Sequence, residues 1–206
     1  MAAVEIARGL MRWTAPHPEW KPGAEPGSSA DWQEDVGSVL YESGDTVVLF
    51  DPLLPVVGRA SFLSLLDERV AGRAVSILTT VRWHRRDREL LAERYRANST
   101  RAWNAIPPGV VAKPVRGGGE TIYWLPGAHA LVFGDTLIGA SPGEVRVCPE
   151  SWLSDVRVDR AGLARLMGPL LELPVELLLV SHGEPVLHDG RAALARALRE
   201  ARGQGD

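Results

Sequence analysis

Residues 79–87 read TTVRWHRRD, and together with 132–137 (VFGDTL) and 179–185 (LVSHGEP) they decide how this chain folds. In each string an apolar run suited to a buried strand gives way to a loop, and His84, Asp135 and His182 stand at those junctions. A fourth string, 49–52 (LFDP), puts Asp51 at the end of another apolar run. Strand ends feeding loops are where an α/β scaffold carries its reactive groups, because the sheet fixes the backbone while the loop leaves the side chain free.

The elements around these junctions follow from periodicity. Residues 3–13 read as a first strand, and 14–34, rich in Pro, Gly, Ser and Trp, as a long loop that can serve as a lid. Strands are expected at 36–42 and 46–50, joined by the tight turn Ser43-Gly44-Asp45, then a helix over 59–72 that ends on a glycine. A strand at 75–79 and a helix at 87–97 follow, then strands at 101–104, 110–112, 120–125, 129–133 and 136–138. A helix at 159–171, a strand at 176–181 and an amphipathic helix at 190–202 close the chain. Hairpins come first and strand–helix alternation later, which predicts an α/β (α+β) chain with a mixed sheet or two stacked sheets between helical layers.

Bulk properties narrow the function classes. At 206 residues one domain, 1–206, is expected, and 45% apolar with 24% charged residues is ordinary for a globular protein. A net charge of −3 supplies no basic field, so nucleic acid is not an expected partner. The longest apolar stretch, 169–180, is broken by Glu and Pro and is too short for a bilayer, so no membrane association is expected. Glu5 and Arg8 interrupt the segment a signal peptide would need, and Cys148 is the single cysteine. The expected compartment is the cytoplasm, with neither a disulfide nor a cysteine zinc site.

The four junctions, in this order, resemble the metallo-β-lactamase superfamily. That family carries an Asp after an early strand, a His-x-His-x-Asp-His loop leading into a helix, a Gly-Asp pair after a later strand, and a Gly-His or Ser-His-Gly near the end. The resemblance spans about 36–190 and implies an αββα sandwich. The departures are as informative. With His84 aligned to the second His of the motif, Arg82 stands where the first belongs, Arg86 replaces the metal-binding Asp, and Asp87 the last His. A further ligand His, due near 113–119, is absent from KPVRGGG.

What survives is His84, Asp135 and His182, with Asp87 as a possible fourth ligand. Two imidazoles and a carboxylate suit one Zn²⁺, Fe²⁺ or Mn²⁺ with positions open for water, and too few ligands remain for two ions. Asp135 and His182 are then the catalytic candidates of a reduced hydrolase site acting on an ester, thioester or amide. Arg82 and Arg86 point the other way, since a guanidinium has no lone pair to give a metal and repels the cation. They favour a metal-free chain of the same fold, with the arginines paired to Asp135 or Asp87, or binding a small anion or a protein partner. Both readings stand on the sequence.

The remaining polar residues have plainer readings. Asp51 is read as a structural acceptor of backbone amides, His129 as a turn residue, and Asp189 as a helix N-cap beside His188. His17 reaches the site only if 14–34 closes over it. Four arginines within 82–88 read as a solvated face with local ion pairs. Cys148 and Ser181 lack the context of a nucleophile. Of the seven tryptophans, Trp83 and Trp124 are expected nearest the cleft.

Overall fold

The computed structural model describes residues 3–97, 106–154 and 157–203. The strand expected at 101–104 lies outside them.

The first sheet has five strands in the order β1-β2-β3-β4-β5: β1 (Val4–Ala7), β2 (Leu10–Pro16), β3 (Asp35–Ser43), β4 (Thr46–Phe50) and β5 (Ala74–Leu78). The single strand expected at 3–13 is a hairpin, because Gly9 takes φ 72 and turns the chain there. β4 and β5 run parallel, linked by α1 (Arg59–Val70). α1 ends two positions before the expected glycine, with Ala71 itself left-handed. α2 (Arg88–Tyr95) follows β5.

The second sheet contains β6 (Val111–Val115), β7 (Glu120–Leu125), β8 (Ala130–Val132) and β11 (Leu177–Leu179) in the order β11-β8-β7-β6, with β11 parallel to β8. Between them in sequence, β9 (Leu137–Gly139) and β10 (Val145–Val147) form a small hairpin. The helix expected over 159–171 is α3 (Arg160–Met167), continued as a 3-10 turn from Gly168, where Pro169 interrupts the α-helical bonding. α4 (Gly190–Ala201) packs last. Asp189 holds the position before α4 in a left-handed conformation and makes no side-chain cap, unlike Asp159, which caps α3 through the Gly162 amide.

Strand alternation explains the layering. Val39, Tyr41, Val48 and Phe50 face Tyr123, Leu125, Val132 and Leu179 across one core between the sheets. Their neighbours Leu40, Val47 and Leu49 turn the other way onto Phe62, Leu66 and Leu91 of α1 and α2. On the far side, Ile122, Trp124, Leu131 and Leu178 meet Leu163, Met167, Leu194 and Leu198 of α3 and α4. Period-2 burial on both faces of both sheets gives four layers, α/β/β/α. No helix among the described residues is long and apolar enough to cross a membrane.

Candidate metal centre

The two parallel pairs, β4/β5 and β8/β11, send their carboxyl ends to the same edge of the sandwich. Isolated bridges Val36–His182 and Val81–Glu120 stitch the two sheets together there. The close approach depends on Gly37, whose amide donates to Ser181 O at 2.7 Å. A Cβ on Gly37 would lie 2.6 Å from Val180 O. On the other flank, Gly183 at φ 82 packs on Gly139, and the Gly139 amide binds His182 O at 2.8 Å. Glycine at these places is what lets His182 reach the other junctions.

Three side chains converge. His84 Nε2 lies 3.1 Å and His182 Nε2 3.2 Å from Asp135 Oδ1. Ligand atoms of the three all lie within 4.8 Å of one another. Both rings stand at ion-pair distance from this one buried oxygen. The other oxygen, Oδ2, accepts from Trp83 Nε1 at 2.8 Å. Behind the cluster, His84 Nδ1 meets Asp51 Oδ2 at 3.0 Å, while Asp51 also accepts from the Thr80 amide and hydroxyl. Asp51 therefore takes one backbone amide, as read from the sequence, and orients His84 as well. His182 Nδ1 has no such partner.

The charges follow from burial and neighbours. Burial resists a proton on His84, but Asp135 and Asp51 on its two sides outweigh both burial and Arg86, and its pKa is pushed up to about 9. Burial also resists charge on Asp135, yet His84 and His182 hold its carboxyl well below the usual range. For His182 burial wins over Asp135 and lowers the pKa. Without a metal, the cluster is a His84 imidazolium, an Asp135 carboxylate and a neutral His182.

Asp87 is not part of this group. It stands at the N-terminus of α2, with Oδ2 on the Leu54 amide at 2.7 Å and Oδ1 on Arg59 at 2.8 Å. The turn into the helix points it away from the cavity, which corrects its assignment as a ligand. The two arginines part company. Arg82 is exposed, stacked over Trp83 with 5.4 Å to the ring centroid, and does not line the cavity. Arg86, left-handed at φ 42, folds back beneath the sheet edge and donates through Nη1 to Gly37 O and Asp51 O, both at 2.7 Å. It binds carbonyls rather than Asp135 or Asp87. The run is thus only partly a solvated face: Arg85 pairs with Glu89 there, whereas Arg86 is interior.

Sequence reasoning missed Glu120. Buried at the start of β7, it accepts from the amides of Gly134, Asp135 and Thr136, each at 2.8 Å, and so shapes the turn that presents Asp135. Burial, reinforced by Asp135, pushes its pKa to about 7 against the pull of those amides. A carboxylate opening the string ETIYWL looks like an exposed strand start, and only the tertiary pairing with 134–136 reveals its place.

Above the cluster is a cavity of about 270 Å³ walled by Trp32, Trp83 and Trp152, with His17 and Cys148 also on its lining. Trp124 is in the core under α3 and α4, which corrects its expected place by the cleft. The loop after β2 does cover the site. Its ends are tied by the His17 amide on Glu34 O at 2.9 Å, and Trp32 wedges between His17 and His182, 5.2 and 5.6 Å from their rings. Burial pushes the Cys148 thiol up to about 12, in keeping with an inert cysteine.

No protein-family model and no curated protein matches the chain. Solved structures do. The DIM-1 metallo-beta-lactamase superposes with a TM-score of 0.65 at 9% identity, over 99% of this chain and 98% of that one. FIM-1 from Pseudomonas aeruginosa, in a mono-zinc form, gives 0.60 at 10%, over 98% and 96%. An NDM- and FIM-1-like metallo-beta-lactamase from Erythrobacter litoralis, also mono-zinc, gives 0.59 at 14%, over 98% and 96%. The chain has the metallo-β-lactamase fold, as the four junctions implied.

Proposed function

We propose that this chain is a metal-dependent hydrolase in which His84, Asp135 and His182 hold one divalent ion, acting on an ester, thioester or amide. The observation that carries the reading is the convergence of His84 Nε2 and His182 Nε2 on one buried oxygen, Asp135 Oδ1, at 3.1 and 3.2 Å. Two imidazoles and a carboxylate whose ligand atoms all lie within 4.8 Å of one another are close enough to share one ion. Two nitrogens and one carboxylate oxygen suit Zn²⁺, Fe²⁺ or Mn²⁺. Asp51 behind His84 is the carboxylate support that ligating imidazoles usually have. Among the described residues no second group of three ligands gathers, and Asp51, Asp87 and Glu120 are each engaged elsewhere. The mono-zinc forms of two structural neighbours are in keeping with a one-ion site.

An ion in such a site supplies acidified water and polarises a carbonyl. The chain's own residues do the rest. Asp51 fixes the His84 ring so that Nε2 faces the cavity, Trp83 Nε1 pins one Asp135 oxygen, and Glu120 fixes the turn beneath it. Trp32, Trp83 and Trp152 offer a substrate apolar walls.

The test is turnover of p-nitrophenyl esters and a thioester by chelator-treated protein, before and after one equivalent of Zn²⁺, Mn²⁺ or Fe²⁺. Activity should appear on reloading and be absent in His182→Ala. Undiminished turnover by the stripped protein would sink the reading. The metal-free alternative loses Arg82, which lies outside the cavity, but keeps Arg86.

A further inference from the structure

Arg86 has an edge that is poorly matched among the described residues. Its Nη1 is spent on Gly37 O and Asp51 O, while Nη2 has only Ser181 Oγ at 3.5 Å. Nε is buried with no acceptor. None of the ion pairs among the described residues includes Arg86. The side chain nevertheless lines the cavity beside His84 and His182. The Nε/Nη2 edge of a guanidinium presents two parallel N–H donors spaced for two oxygens of a carboxylate or phosphate. A permanent cation fixed at one edge by two carbonyls and short of acceptors at the other is suited to an oxyanion.

Three acids, Glu19, Glu120 and Asp135, share the lining, and the last two are turned to other partners. Glu120 turns both oxygens onto the backbone amides of 134–136, and Asp135 gives one oxygen to Trp83 Nε1 and the other to the two imidazoles. The opposite walls are apolar and flat, formed by Trp32, Trp83 and Trp152.

We propose that the ligand of this cavity is a small organic oxyanion, a carboxylate or phosphate ester with an apolar body. Its charged group docks on the Nε/Nη2 edge of Arg86, displacing the long Ser181 contact, and its body lies between the three tryptophans. This inference rests on the cavity being the substrate site and names the class of substrate it takes. Arg86 positions the molecule beside the ligand cluster rather than holding the metal.

The experiment titrates benzoate and phenyl phosphate, with neutral benzamide as control, into chelator-treated and zinc-reloaded protein, read by tryptophan fluorescence and by thermal melting. One of the two anions should saturate in both preparations and raise the melting temperature, and benzamide should do neither. Which anion wins distinguishes carboxylate from phosphate. Arg86→Lys keeps the charge but loses the fork, and Arg86→Gln loses both. Each should weaken anion binding at least tenfold. If both variants misfold through loss of the Nη1 bonds, the arginine Nε–H resonances of the wild type decide, one buried signal being expected to shift with saturation. Anions that bind only the zinc form, equally well in Arg86→Lys, would place them on the metal and overturn the proposal while leaving the hydrolase reading intact. Arg86-dependent binding in a chain that takes up no metal would do the reverse. Absence of anion binding in both preparations overturns the proposal outright.

Discussion

Asp51 Oδ2 and His84 Nδ1 meet at 3.0 Å in the interior of the sandwich, so that a residue at the end of β4 sets the ring that follows β5. The bond settles which nitrogen of His84 is left for the cavity. It also ties that ring to the backbone through the Thr80 amide, which Asp51 accepts at 2.8 Å. Asp51 is therefore both a strand-end acceptor and the support of a candidate ligand.

Replacing Asp51 with Asn keeps the shape and removes the charge. Loss of such a support costs metal affinity on the order of 10–100-fold. Zinc affinity measured against a competing chelator should fall by that factor while the circular dichroism spectrum stays that of the wild type. An unchanged affinity would reduce Asp51 to a purely structural residue.

Glu120→Ala removes the acceptor of three buried amides. Leaving buried donors unpaired costs about 1–3 kcal/mol for each group that water cannot reach. Denaturant unfolding should show a loss of roughly 3 kcal/mol or more, with Glu120→Gln recovering part of it because the amide oxygen still accepts. Full stability in Glu120→Ala would mean that the 134–136 turn holds itself.

Gly37→Ala tests the approach of the two sheets. The added Cβ would press on Val180 O, a backbone atom that cannot swing aside. Overpacking of this kind costs about 1–3 kcal/mol and displaces what it touches. The variant should melt lower and also bind metal more weakly, since His182 lies two residues beyond Val180. A lower melting point with unimpaired metal binding would show that His182 is positioned without Gly37.

Cys148 is buried and its thiol is raised to about 12, so at pH 8 only about one part in 10⁴ is thiolate. A thiol reagent should leave the native chain unlabelled for hours at pH 8 and label it at once in denaturant. Prompt labelling of the native protein would place a reactive cysteine in the cavity wall.

The three ligand candidates were legible because each stands where an apolar strand meets a loop, and a strand end is visible in one sequence. Periodicity left a mixed sheet and two stacked sheets both open, and the layering came from the family resemblance; in the fold, Val47 to Phe50 alternate between two buried faces. What escaped depends on distant partners. Glu120 gains its role from amides fourteen to sixteen positions away. Trp32 and Trp152 sit in stretches without periodicity, so nothing in the sequence directs them to the cavity. Asp87 was misread because the motif alignment fixes its spacing but not the turn entering α2, which sends it to Leu54 and Arg59. The helix expected to reach 171 stops short at a proline whose effect on length is a matter of local bonding. The strand expected at 136–138 is β9, whereas its hairpin partner β10, three residues long, is too short to carry a period.

The central claim is tested most directly by the metal content of protein purified without an affinity metal or chelator, beside a His84→Ala/His182→Ala double variant and Asp87→Asn. The account predicts about one ion per chain in the wild type and in Asp87→Asn, and none in the double variant. Two ions per chain, or an ion kept by the double variant, would contradict it.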